Sequence, residues 1–172
     1  MNRRAALSAL LVAPAALASP APAAALLVGD SLAFQLAPRL RKAMGERRLA
    51  ADGRGGSSTR QWRDKWFRRA VERYPGGVVL VSLGVNCTRS ERPRLAEDIG
   101  ALVDVCEDVF QRQLLWLLPP PLKFSTKYLR DAVAEVGCSS FDPGVLPLGD
   151  GVHPTHAGYE KWATMLVKKL YG

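Results

Sequence analysis

Short continuous apolar runs alternate along this chain with longer amphipathic stretches, a pattern that predicts an α/β fold with a mainly parallel sheet. Two further observations agree. The 172 residues amount to one domain's worth of chain, enough to bury most of its apolar surface. Each apolar run also stops at a glycine, asparagine or proline turn rather than grading into the next helix.

The first strand is expected over residues 24–28, ahead of Gly29-Asp30-Ser31. Leu32, Leu36, Leu40 and Ala43 then repeat at helical spacing, and Gly45 supplies a stop. A short second strand is expected over 48–51, ending at a glycine cluster. Trp62, Trp66, Ala70 and Tyr74 recur every four residues and give a helix one apolar stripe, closed by Pro75-Gly76-Gly77. That spacing makes the aromatics core contacts, with Trp62 the exception that could reach the rim of a cleft. Residues 78–83, mainly Val and Leu, form the clearest buried strand.

Leu95, Ile99, Leu102, Val103 and Cys106 mark a helix beginning near Pro93, where proline suits a first turn. A fourth strand over 114–118 must leave the sheet at Pro119-Pro120-Pro121, since three prolines cannot continue a ladder. Tyr128, Leu129, Ala132, Val133 and Val136 outline the next helix. Pro143 and Pro147 limit any fifth strand within 139–148 to a few residues. Thr155 then caps a last helix whose apolar face is Tyr159, Trp162, Ala163, Leu166, Val167 and Leu170. There is no internal repeat and no domain linker.

Residues 1–23 read differently: Arg3 and Arg4 precede an Ala/Leu-rich stretch and then Ser19-Pro20-Ala21-Pro22-Ala23, the layout of an export signal cut after Ala18 or Ala23. Pro14 interrupts the apolar part, which is too short for a stable membrane span. The expectation is an exported domain over 24–172, periplasmic or secreted. Losing the leader removes two arginines and no acids, so the formal charge falls from +8 to +6. Much of the remaining excess is Arg60, Arg63, Lys65, Arg68, Arg69 and Arg73, facing only Asp64 and Glu72. This run is either a solvated helix face or a surface for an anionic envelope polymer. No reading motif accompanies the charge, which argues against nucleic acid. Cys87, Cys106 and Cys138 are too few for a disulfide scaffold and their spacing fits no metal site. They are three small buried residues, or one pair and a free thiol.

Four short signatures carry chemistry: Gly29-Asp30-Ser31-Leu32, Gly53-Arg54-Gly55-Gly56, Gly84-Val85-Asn86 and Asp150-Gly151-Val152-His153-Pro154. The first three follow strands, so all face the carboxyl edge of the sheet, where open parallel sheets form their sites. Ser31 opens a helix, so its amide has no acceptor inside that helix and an oxyanion can use it. Asp150 and His153 are three residues apart, close enough for the carboxylate to orient the ring while its other nitrogen faces Ser31. The Asn86 side-chain amide is a second donor. Each signature alone also fits a bland turn: a capped strand-to-helix corner, a flexible glycine loop, an asparagine in a left-handed position, a surface Asp-x-x-His. His156, the other histidine, reads as structural or exposed.

Taken in this order, the four signatures resemble the blocks of the SGNH (GDSL) hydrolases, over nearly the whole chain from Leu26 to the last helix. The resemblance implies a three-layer α/β/α sandwich of the flavodoxin-like type and ester hydrolysis through an acyl-enzyme, with no cofactor. It assigns Ser31 as nucleophile, His153 as base and Asp150 as its orienting acid. The oxyanion site would comprise Ser31, Gly56 and Asn86. Many family members have Asp after the third-block Asn, where this chain has Cys87. Substrates implied are small acyl esters on a carbohydrate or lipid, and deacetylation of an envelope or extracellular carbohydrate is the leading expectation. A short-chain lipid esterase or lysophospholipase, an acyltransferase, and a glycan-binding protein on the same fold are the alternatives.

Overall fold

Leu26, Leu27 and Val28 have no solvent-facing side: β1 (Ala25–Gly29) is buried along its whole length. A strand reaches that state in the middle of a sheet covered on both faces. The computed structural model describes residues 24–45 and 47–172, so the leader expected at 1–23 lies outside the described residues. Around β1 the sheet runs β2-β1-β3-β4-β5, every neighbouring pair parallel, with β2 at Leu49–Gly53, β3 at Val78–Ser82, β4 at Leu114–Leu117 and β5 at Ser140–Phe141.

Strand periodicity divides the core into two layers. Leu26, Val28, Val79, Val81, Leu114 and Trp116 pack against α3 (Phe67–Arg73), α4 (Leu95–Asp104) and α5 (Lys127–Val136). Ala25, Leu27, Leu80, Leu115 and Leu117 face the other way, onto α1 (Ser31–Met44) and α6 (His156–Tyr171). The result is the three-layer α/β/α sandwich. No helix among the described residues is long and apolar enough to cross a membrane.

Several boundaries differ from the sequence expectations for physical reasons. β2 runs two residues further, into the glycine cluster, because its partner sets its length: Leu49 to Gly53 pair one for one with Ala25 to Gly29. In α1 the buried stripe continues from Leu40 to Met44 while Ala43 is exposed, the i+4 progression winning over the shorter step. The tryptophan helix is broken into α2 (Thr59–Gln61), a π turn at Trp62–Trp66, and α3. The wider turn shifts the inward face so that Phe67 and Val71 are buried with Trp62 and Ala70, while Trp66 and Tyr74 are only half-buried. A 3-10 turn at Arg92–Arg94 precedes α4, and a second π turn, Val105–Val109, follows it and buries Cys106. All three thiols are free, so no pair forms.

The basic run is partly consumed internally. Asp98 on α4 is 1% exposed and accepts from Arg60 Nε at 3.3 Å and from Arg63 Nη1. Arg68 pairs with Glu72, and Arg73 lies over the Tyr74 ring. Most of its charge therefore binds helix to helix or covers an aromatic face.

At the end of β1 the chain turns into α1 with very little clearance. The Asp30 amide donates to the Ser82 carbonyl at 3.0 Å, and a Cβ added at Gly29 would lie 2.1 Å from that oxygen. Asp30 caps the helix, its Oδ1 accepting from the Leu32 amide at 2.9 Å. Its Oδ2 is buried with no hydrogen-bond partner among the described residues. Burial raises the Asp30 carboxyl from 3.8 to about 7, against the lowering effect of the Leu32 amide.

Two outcomes follow. Gly29→Ala is expected to cost about 3 kcal/mol or more of folding stability, because the clash is with backbone, as read from a denaturant midpoint. For Asp30, the folded state holds its proton between about pH 4 and pH 7 while the unfolded chain has lost it, so this group makes stability fall as pH rises. An Asp30→Asn variant, which keeps a capping oxygen, is expected to gain stability relative to the parent progressively over that window, by a few kcal/mol, and to hold the gain at higher pH. A flat difference between pH 4 and 8 contradicts this.

Candidate active site

Strand order reverses between β1 and β3, the first leading out to β2 and the second to β4. A crevice opens beyond the carboxyl ends at such a reversal. Ser31 is the first residue of α1, directly after β1, and it is half-buried at that edge.

Ser31 Oγ lies 2.9 Å from His153 Nε2, across 122 residues of sequence. His153 Nδ1 is 2.8 Å from Asp150 Oδ2. The carboxylate leaves Nδ1 as the donor of that pair, so Nε2 is the acceptor for the serine hydroxyl. Asp150 Oδ1 accepts from the Val152 and His153 amides at 2.8 and 2.7 Å. The His153 ring, followed by these two amides, holds the Asp150 carboxyl well below the usual carboxylate range. It stays ionised wherever the histidine can act as a base.

The loop carrying this pair is tied down from three sides. The Gly149 amide donates to the His153 carbonyl and the Thr155 amide to the Pro147 carbonyl, both at 2.8 Å. The Thr155 hydroxyl caps α6, accepting from Gly158 at 3.2 Å. From the loop after β4, the Lys123 amide donates to the Gly151 carbonyl at 2.8 Å and its ammonium to the Asp150 carbonyl at 3.3 Å.

Gly56 is exposed in the loop after β2 with φ +73°, a left-handed conformation that a side chain would strain. Asn86 follows β3, and its Nδ2 donates to the Ser57 carbonyl at 3.3 Å. One N–H of that amide is thereby used and the other remains. Ser57 also accepts from the Trp62 indole at 2.9 Å and donates to the Arg54 carbonyl at 2.6 Å. Trp62 does not reach the cleft rim: it is 0% exposed, and its role is to fix the loop behind Gly56. The sequence reading missed Ser57, Lys123 and Glu91. Glu91 bonds Ser58, and each of the two had a legible cue, in the sequence patterns Thr88-x-x-Glu91 and Ser58-x-x-Gln61.

Other chemistry-bearing residues are engaged elsewhere. Burial pushes the Cys87 thiol up to about 11, which keeps it protonated beside Asn86. His156 is exposed on α6, its Nδ1 2.9 Å from Arg39 Nη2 and its Nε2 3.3 Å from Glu160. A pocket of about 780 Å³ opens at the amino edge of the sheet between Val78, Arg112 and Lys169. Arg112 there bonds the Val71, Tyr74, Gly76 and Gly77 carbonyls, a structural task. This pocket and the Ser31–His153 contact lie at opposite ends of the sheet. No cluster of His, Cys, Asp and Glu suited to a metal occurs among the described residues.

No protein-family model and no curated protein sequence matches the chain. Solved structures do. A carbohydrate esterase family 3 structure from Talaromyces cellulolyticus is similar with a TM-score of 0.68 and 13% identity, over 85% of this chain and 95% of that one. A member of the lipolytic protein G-D-S-L family from Veillonella parvula gives 0.65 and 10%, over 86% and 97%. The C-terminal catalytic domain of peptidoglycan O-acetyltransferase A from Streptococcus pneumoniae gives 0.62 and 15%, over 87% and 93%. These likenesses bear on the fold: the chain has the α/β architecture shared by the G-D-S-L lipolytic proteins and the family 3 carbohydrate esterases.

Proposed function

We propose that this protein is a serine esterase of the SGNH type that acts on a small acyl ester through an acyl-enzyme. The observation that carries the reading is the unbroken series Ser31–His153–Asp150, with contacts of 2.9 and 2.8 Å. As Ser31 Oγ bonds to the ester carbonyl carbon, its proton passes to His153 Nε2. Asp150, already ionised, stabilises the imidazolium formed. The carbonyl oxygen gains the negative charge and is met by the Ser31 and Gly56 amides and the free N–H of Asn86. Collapse breaks the carbon–oxygen bond to the alcohol, which leaves with the His153 proton. Water then repeats the steps in reverse, freeing the acid and Ser31.

For substrate we infer a short acyl group, most plainly acetyl, on an exported or envelope carbohydrate. None of the loops after β2, β3 and β4 carries a long insertion, which argues against a lid or a deep acyl tunnel. Phe34, 64% exposed one turn beyond Ser31, offers an aromatic face of the sort a sugar ring covers. The likeness to carbohydrate esterases supports the same reading. Acyl transfer to a sugar hydroxyl shares the first half of the reaction and is the second reading, favoured by the likeness to the O-acetyltransferase domain.

A fluorophosphonate probe is expected to label the parent protein and not Ser31→Ala, whose ester turnover should fall to background. Labelling of Ser31→Ala at the parent rate removes Ser31 as nucleophile. Asn86→Ala is expected to lower kcat about 100-fold to 1000-fold on a small ester; unchanged kcat takes Asn86 out of the oxyanion site. A panel of acetylated glycans and esters of increasing chain length, with and without a sugar acceptor, separates deacetylation, lipid hydrolysis and transfer.

A further inference from the structure

The two side donors of the oxyanion site stand on different loops, one after β2 and one after β3; pairing with β1 fixes the strand ends but not the loops beyond them. Two cross-links do. The first is the Asn86 amide on the Ser57 carbonyl. The second is Glu91. Its Oε2 accepts from the Thr88 amide at 2.8 Å and the Thr88 hydroxyl at 2.9 Å, closing a turn that begins two residues beyond Asn86. Its Oε1 reaches across 33 residues to the Ser58 hydroxyl, at 3.1 Å, two residues beyond Gly56.

Ser58 is itself the first residue of a capping box: its hydroxyl accepts from the Gln61 amide and its own amide donates to Gln61 Oε1. One carboxylate therefore joins the helical start after the Gly56 loop to the turn after Asn86. The Thr88 bonds are local to the turn; the bond to Ser58 is the one that crosses between loops. Ser58 is 8% exposed and Glu91 is half-buried, so the link between them is partly shielded from water. Burial pushes the Glu91 carboxyl up, but the bonds from Thr88 and Ser58 outweigh that and leave it below its ordinary value, so it is charged at neutral pH.

We propose that Glu91 is a positioning residue for the oxyanion site, holding the Gly56 loop and the Asn86 loop at the spacing their donors need. It touches no reacting atom and acts through Ser58 and Thr88. This role rests on the serine-esterase reading above. Small displacements of preorganised donors are costly to turnover, so the loss falls on the chemical step rather than on substrate binding.

The test is a double-mutant cycle on 4-nitrophenyl acetate, with thermal unfolding of every variant. Glu91→Ala is expected to lower kcat about tenfold with KM and Tm nearly unchanged. Glu91→Gln, which can still pair with Ser58 and Thr88, should recover most of that loss. In an Asn86→Ala background, where one donor is already gone, the Glu91→Ala effect should shrink to about twofold or less. Parent-like kcat in Glu91→Ala, an undiminished tenfold loss in the Asn86→Ala background, or a loss that tracks a lowered Tm each overturns the proposal. Ser31→Ala runs alongside: if it retains turnover, the serine-esterase reading fails and takes the clamp with it. If Ser31 is required and Glu91 indifferent, only the clamp fails.

Discussion

Everything at the carboxyl edge of the sheet depends on how closely β1 approaches β3. The Asp30 amide bonds the last carbonyl of β3, and the space opposite admits hydrogen where any other residue carries a carbon. That approach makes the chain enter α1 immediately, with no intervening loop. The helix start is consequently held by the sheet itself, and Ser31 inherits the rigidity of two central strands. A nucleophile on a longer connection would have to be ordered by side-chain contacts alone, at a cost in conformational entropy.

Around that fixed point the structure spends its polar groups on loops. Lys123 supports the Asp150 loop, Ser57 receives both Trp62 and Asn86, and Thr155 ends the turn after His153 by starting α6. The Ser57 and Thr155 bonds lie among buried and half-buried groups, whereas the Lys123 ammonium bond is exposed and contributes little. Asp30 is the contrary case: a buried carboxyl group with one oxygen unpaired, whose ionisation beside the serine comes at the expense of stability.

Much of this was legible beforehand, and the part that was not has identifiable causes. The α/β class followed from the alternation of apolar runs with helical stripes, and Ser31, Asp150 and His153 were named from their short motifs before any distance was known. Boundaries failed where a neighbour, not the local sequence, decides: β2 takes its end from β1, and the π turn at Trp62–Trp66 rotates an otherwise regular stripe. Trp62 shows the limit of spacing arguments, since periodicity gave its burial while its proximity in sequence to Gly56 suggested the rim. Cross-links such as Ser58 to Glu91 join capping patterns 33 residues apart, and only tertiary structure brings their free valences together.

The pairing of residue 31 with residue 153 has an implication for how the molecule comes into being. A polypeptide emerging from its amino end presents the serine early, on the first helix, yet the imidazole arrives with the segment just before the final one. Until α6 docks against α1, through Leu36, Leu40, Tyr159 and Trp162 in a common layer, the hydroxyl has no proton acceptor. On the serine-esterase reading, a chain that has not yet brought its last helix against its first holds Ser31 without its base.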